Sequence, residues 1–172
     1  MAAVATRWRM LSHEDRVERI VIATDSSPGA RAAVTQGVRL ARALGAAVTF
    51  VAVRPGAPLF GDLELIRHLC DELRETRAAL EGAMDEAEEK GVDADFEIGE
   101  GPVAEEIVRA ARYRDADLIV VGSCGLGDVP GIQTGSVSHE LVEIAPVPVL
   151  VVKLPASTAL RSAEPSLTVG TT

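Results

Sequence analysis

The residues of this chain that could do chemistry are few and unevenly placed. Gly122-Ser123-Cys124-Gly125 is followed, after nine further residues, by Gly135-Ser136. Before the first glycine stands Asp117-Leu118-Ile119-Val120-Val121, an apolar run of the buried-strand type. After the last comes Val137-Ser138-His139-Glu140-Leu141-Val142, which reads as helix. A glycine-rich turn from strand to helix suits a phosphate. Glycine lets the backbone approach a ligand closely and adopt positive φ. The helix start offers unpaired N–H groups and the positive end of the macrodipole.

The elements that must position this loop follow from periodicity. Residues 17–24 hold Ile20-Val21-Ile22-Ala23, a first buried strand. Ser27-Pro28 reads as N-cap and first helical residue. Ala30, Ala33, Val34, Gly37, Val38, Ala41 and Leu44 follow at helical spacing, and Gly45 fits the residue after the helix. Residues 46–53 form a second strand. Pro55, Gly56 and Pro58 break it. A long helix over 62–90 is expected, with a stripe of Leu65, Leu69, Leu73, Leu80, Met84 and Ala87, ended by Gly91. Residues 92–98 alternate, with Val92, Ala94, Phe96 and Ile98 on one side and acids on the other, as in an edge strand. A third helix starts at Gly101-Pro102 and buries Ala104, Ile107, Val108 and Ala111. The remaining elements are a strand at 117–122, a helix at 136–144 and a strand at 146–152.

Strands alternating with helices imply an α/β fold, a five-stranded parallel doubly wound sheet with about four helices. Strand order 3-2-1-4-5 makes strands one and four neighbours at the switch point, where such folds bind ligands. That order sets Asp25, just past strand one, beside Gly122, just past strand four. One domain over 16–153 is expected, between loose tails at 1–15 and 154–172.

Bulk composition excludes several alternatives. A net charge of −9 opposes binding to nucleic-acid backbones and anionic membranes. No stretch approaches the ~20 apolar residues of a membrane span, the N-terminus lacks a signal-peptide run, and two cysteines make no disulfide framework; a cytoplasmic setting is expected. His13, His68 and His139 are too scattered for a metal site. Cys124 reads as a small loop residue and Cys70 as a packing residue of the long helix. Gly125-Leu126-Gly127 begins a dinucleotide fingerprint, but Pro130 occupies the final glycine position and the loop follows strand four rather than strand one. No GxxxxGK[ST] loop is present.

The spacing Gly122-x2-Gly125-x9-Gly135-Ser136 resembles the nucleotide-binding pattern of the universal stress protein family. Ile20-Val21-Ile22-Ala23-Thr24-Asp25-Ser26-Ser27 is similar to that family's opening strand and acidic turn. Ala145-Pro146-Val147-Pro148-Val149-Leu150-Val151-Val152 is similar to its closing strand. The resemblance spans residues 17–153. It implies a Rossmann-like fold of the adenine-nucleotide α-hydrolase type, an ATP- or AMP-type ligand, and a homodimer formed through the last strand, Val147 to Val152. By matching position it implies that Thr24 and Asp25 meet the adenine and ribose side. Val53 would line the base or sugar pocket. Val121, Gly122, Gly125, Gly135, Ser136 and Val137 would wrap the ribose and phosphates. The residue types suit those roles: Asp25 can accept from a ribose hydroxyl, and Ser136 can donate to a phosphate oxygen.

This sequence departs from the family in the loop itself. Residues 124–134 carry no cation and one acid, Asp128, where many members have His, Arg or Lys. Asp128 would repel a triphosphate unless it faces away or holds a metal ion, so AMP or cyclic AMP stands beside ATP, with or without Mg²⁺, as the expected ligand. The reading that results is a nucleotide-binding regulator of the stress-response type without fast catalysis. Two others stand next to it: a slow ATP-hydrolysing enzyme, with Asp25 and Asp128 as its only local acids, and a ligand-free dimeric interaction module.

Overall fold

The computed structural model describes residues 16–54, 63–123 and 136–153. Its elements alternate along the chain. β1 (Arg19–Ala23) leads to α1 (Pro28–Leu44), and β2 (Ala47–Arg54) to α2 (Leu63–Glu89). Then come β3 (Ala94–Glu100), α3 (Val103–Tyr113), β4 (Leu118–Gly122), α4 (Ser136–Ile144) and β5 (Val149–Val152). The sheet order is β3-β2-β1-β4-β5, with every neighbouring pair parallel, as the alternation of strands and helices required.

Each strand buries alternate residues on opposite faces, so the sheet carries two cores. Ile20 and Ile22 of β1 and Val48, Phe50 and Ala52 of β2 pack with α1 and α2. Val21 and Ala23 of β1, Val51 of β2 and Ile119 and Val121 of β4 pack with α3 and α4. Aromatic residues are 3% of the chain, so alanine, valine and isoleucine do most of this filling. Gly37 brings α1 down onto β1, since a Cβ there would meet Ile22 Cδ1 at 2.4 Å.

Local chemistry sets the helix ends. Ser27 Oγ accepts from the Ala30 N–H at 3.1 Å, with Pro28 in the first turn. Gly45 closes α1 in the left-handed conformation, φ 70°. Gly91, at φ 65°, follows α2, and the Val92 N–H returns to the Ala87 carbonyl at 2.9 Å.

β3 is an edge strand, as its alternating acids implied, but its apolar side reaches the core only at its start, where Val92 is buried and Ala94 packs on the α1–α2 core. Phe96 is 51% and Ile98 45% exposed. In α2, Leu80 and Ala87 are buried and Leu69 and Met84 half-buried, whereas Leu73 is exposed; the Leu65 side chain lies outside the described residues. Cys70 is exposed too, against the packing role expected of it. The cause is reach. α2, at 27 residues, is about 40 Å long, while the eight residues of β2 cover about 26 Å, so the first half of the helix runs past the sheet it packs on.

The other face of β3 is tied to α3 by charge. Arg114 donates through Nε to Glu97 at 2.6 Å and also bonds Asp95. Arg109 of α3 pairs with Glu97 at 3.7 Å and donates to Glu106 on its own helix at 2.8 Å. The hydrogen bond that Arg114 donates to Glu97, ahead of the attraction of Asp95, holds its guanidinium above the ordinary range.

Candidate functional site

The C-terminal ends of β1 and β4 lie side by side, with Ile20, Val21 and Ile22 level with Leu118, Ile119 and Val120. The chain leaves β1 through a tight turn. The Thr24 N–H donates to the Val51 carbonyl at 2.9 Å, which carries the pairing one residue past the strand. Asp25 Oδ1 accepts from the Ser27 N–H at 3.0 Å, an Asx-type turn. Ser26 sits at φ 60°, in the left-handed region, and its hydroxyl donates to the Asp25 carbonyl at 2.7 Å. Arg31 Nη1, one turn into α1, donates to the Ser26 carbonyl at 2.6 Å. The exposed Asp25 carboxylate is thus aimed by its own turn, and its Oδ2 has no hydrogen-bond partner among the described residues.

β4 ends against the start of α1. A Cβ on Gly122 would meet the Gly29 carbonyl carbon at 2.5 Å and its oxygen at 2.6 Å. Glycine at 122 is therefore demanded by the approach of two backbones. Beyond it, the Ser123 N–H donates to the Val152 carbonyl at 2.8 Å. The Ser138 hydroxyl reaches the Ser123 carbonyl at 3.5 Å. These contacts draw the stem of the loop, the first turn of α4 and the end of β5 together.

The residues expected to bind a ligand divide by face. Asp25, two residues past β1, and Gly122, the last residue of β4, lie at the C-terminal ends of neighbouring strands. Ser136 is the exposed first residue of α4. Val53, Val121 and Val137 pack on the α3–α4 core. Thr24, 5% exposed, lies on the opposite side, in a cleft between α1 and α2. The structure therefore does not bring Thr24 and Val53 to one side-chain pocket. Gly125 and Gly135, with Cys124 and Asp128, lie outside the described residues. His139 is not drawn to the site; it pairs with Glu143 at 3.5 Å on the exposed side of α4.

The cleft beside Thr24 has a volume of about 360 Å³. Its polar lining includes Ser26, Arg31, Thr35 and Glu86, and Thr35 Oγ1 donates to Glu86 Oε2 at 3.2 Å. The loop motif points to none of these residues, since all lie outside 122–136. The available signal was helical spacing: Arg31 and Thr35 share a face of α1 one turn after Asp25. Glu86 is brought in by packing across 51 residues. Among the described residues no group of three metal-ligating side chains occurs, and no helix is long and apolar enough to cross a membrane.

Comparison with known proteins agrees with this geometry. The model of the universal stress protein family matches residues 16–153. The universal stress protein MJ0531 of Methanocaldococcus jannaschii is 39% identical over 147 residues, covering 83% of this chain and 85% of that protein. Among solved structures, the hypothetical protein MJ0577 is 27% identical with a TM-score of 0.69, over 81% of this chain and 97% of its own. Two others share the fold at lower identity. One is a universal stress protein in complex with cAMP, 24% identical with a TM-score of 0.64, covering 79% of this chain and 97% of that one. The other is a universal stress protein family member from Arabidopsis thaliana with AMP bound, 20% identical with a TM-score of 0.61, covering 87% and 97%.

Proposed function

Because the chain belongs to the universal stress protein family, we propose that it binds an adenine nucleotide at the C-terminal end of its sheet and acts as a cytoplasmic regulator, without fast catalysis. One observation carries the reading: Asp25 stands exposed at the switch point, one carboxylate oxygen turned to its own backbone and the other uncommitted among the described residues. A carboxylate so placed accepts from ribose hydroxyls. Ser136 and the helix start behind it suit the phosphate end. Fold relatives with cAMP and AMP bound support the ligand class. Gly125 and Gly135, by the family spacing, complete the phosphate loop, and Val121 and Val137 its apolar backing.

The loop residues 124–134 lack a cation, which favours ligands of low phosphate charge. AMP and cyclic AMP therefore stand beside ATP, with or without Mg²⁺, as the ligands to test. For hydrolysis Asp25 and Asp128 are the local candidates to hold a metal ion or orient water, and the loop sequence supplies no arginine clamp. The missing cation also favours a second reading, a ligand-free dimeric module. Thermal melts with AMP, cyclic AMP, and ATP with Mg²⁺ separate them. At about 100 times Kd a ligand adds about 2.7 kcal/mol to stability, a shift easily read. Asp25→Asn keeps an acceptor for the Ser27 N–H but removes the charge, and should weaken AMP binding about tenfold while leaving the ligand-free melting temperature nearly unchanged. Melts unmoved by every nucleotide would leave only the ligand-free module.

A further inference from the structure

The outer edge of β3 is bare in backbone and in side chains. The Asp93 carbonyl accepts from the Val48 N–H at 2.9 Å, and the Gly101 N–H donates to the Arg54 carbonyl at 3.2 Å, so the odd-numbered residues turn their peptide groups to β2. Alternation turns those of Ala94, Phe96 and Ile98 outward, where no strand lies among the described residues. The same three residues share the α2 face of the sheet: Ala94 packs on the α1–α2 core, while Phe96 and Ile98 are exposed. We infer that residues 4–10 of this chain lie antiparallel along β3 as a sixth strand, with Trp8 on Phe96 and with Arg7 and Arg9 beside Glu97 and Asp95.

Three observations carry it. The first is pattern. Val4, Thr6, Trp8 and Met10 alternate with Ala5, Arg7 and Arg9, a strand period with bulky or β-branched groups on one side and cations on the other. β3 carries the complement, with Ala94, Phe96 and Ile98 on one side and Asp95 and Glu97 on the other. With Trp8 level with Phe96, antiparallel pairing sets Met10 by Ala94, Thr6 by Ile98, Arg9 by Asp95 and Arg7 by Glu97. A strand of this length is not stable alone, and β3 supplies the ladder it lacks.

The second is reach. The described chain begins at residue 16, at the N-terminal end of β1, where Val17 packs on the α1–α2 core and the Glu18 carbonyl accepts from the Ala47 N–H at 2.8 Å. β3 begins at the same end of the sheet, since Arg19 is level with Ala47 and Val48 with Ala94. A strand beyond β3 lies three strand spacings from β1, about 14 Å. Residues 11–15, extended, span about 17 Å. Met10 then sits at the start of β3 and Val4 near its end. That makes the pairing antiparallel, a common form for an extra edge strand on a parallel sheet.

The third is charge. The chain carries −9 overall, yet residues 4–10 hold two arginines and no acid. On the α3 side of β3, Asp95 and Glu97 are met by Arg109 and Arg114, but the Asp95 side chain stays 49% exposed despite its bond to Arg114. A second copy pairing its β3 with this one would set acids opposite acids, which is unfavourable. A basic alternating segment avoids that repulsion. It also covers an apolar edge of the kind that invites aggregation.

Trp8 is the single tryptophan of the chain, so its emission reports the contact directly. In the full chain that emission should be blue-shifted from that of tryptophan in water and shielded from acrylamide. Phe96→Asp, at an exposed site, should remove both effects. Hydrogen exchange reads the edge itself. The Ala94, Phe96 and Ile98 amides should exchange about tenfold or more faster in Trp8→Asp, and in the double variant Arg7→Glu, Arg9→Glu, than in the unaltered protein, while the amides of β1 and β4 stay equally protected in all three. Fast exchange at those three amides in the unaltered protein means a free edge and overturns the inference. Protection untouched by Trp8→Asp means another occupant and overturns it too, as does a Trp8 emission indifferent to Phe96→Asp. Protection lost on dilution assigns the added strand to a second copy, and likewise overturns it.

Discussion

A single absent methyl group separates two kinds of glycine in this protein. At Gly37 the atom in the way is Ile22 Cδ1, the free end of a side chain that can rotate. At Gly122 the obstacle is the Gly29 peptide, at 2.5 and 2.6 Å, which cannot move without moving the start of α1. Overpacking costs about 1–3 kcal/mol where side chains can adjust. Gly37→Ala should therefore lie near the low end, about 1 kcal/mol, and Gly122→Ala at or above the high end, about 3 kcal/mol. Chemical denaturation of the two variants checks the order, and equal losses would show that the Gly29 peptide yields. The same comparison shows how far a motif can be read. The spacing from Gly122 to Ser136 pointed to a ligand loop, yet the demand for glycine at 122 comes from the chain itself. A distance between two backbones has no signature in a strand–loop–helix pattern. Asp25, by contrast, was legible, because its place follows from strand order alone.

At the scale of elements, legibility tracked how local the cause was. The Ser27-Pro28 start and Gly45 end of α1 could be read because each rests on bonds within a few residues. Ser27→Ala removes the side chain that accepts from the Ala30 N–H in a buried setting. It should cost about 1 kcal/mol, and with about 2–4 °C per kcal/mol for a domain of this size, a melt resolves it. No change in melting temperature would mean that water or another group replaces the cap. Phe96, Ile98 and Leu73 illustrate the opposite case. Their spacing correctly assigns each to one side of its element. Whether anything lies opposite depends, for Leu73, on where α2 outruns the sheet and, for Phe96 and Ile98, on β3 standing at the sheet edge; periodicity is silent on both. The acids of β3 gave a half-right picture for a similar reason. Glu97 faces α3 and is engaged by Arg114 and Arg109, at 2.6 and 3.7 Å, rather than solvated.

For the whole molecule, the two edges of the sheet differ. β3 is acidic and braced by arginines from α3. β5 is aliphatic, with Leu150 38% exposed beside Val142 at 61% and Ile144 at 39%. An aliphatic edge invites a second chain, which agrees with the proposed homodimer through residues 147–152. Sedimentation should give twice the 18.1 kDa chain mass. Leu150→Lys should shift the species to the monomer, since a charge in an apolar seam is left without a partner; a dimer that survives it uses another surface. The junction of β4 with α1 sets how such distant parts are connected. Soft contacts dissipate displacement as side chains turn, but Gly122 and Gly29 touch with no side chain between them. A push on the last residue of β4 therefore arrives at the first turn of α1 undiminished. The joint is stiff, and it couples the strand that feeds the loop to the helix that begins beside Asp25.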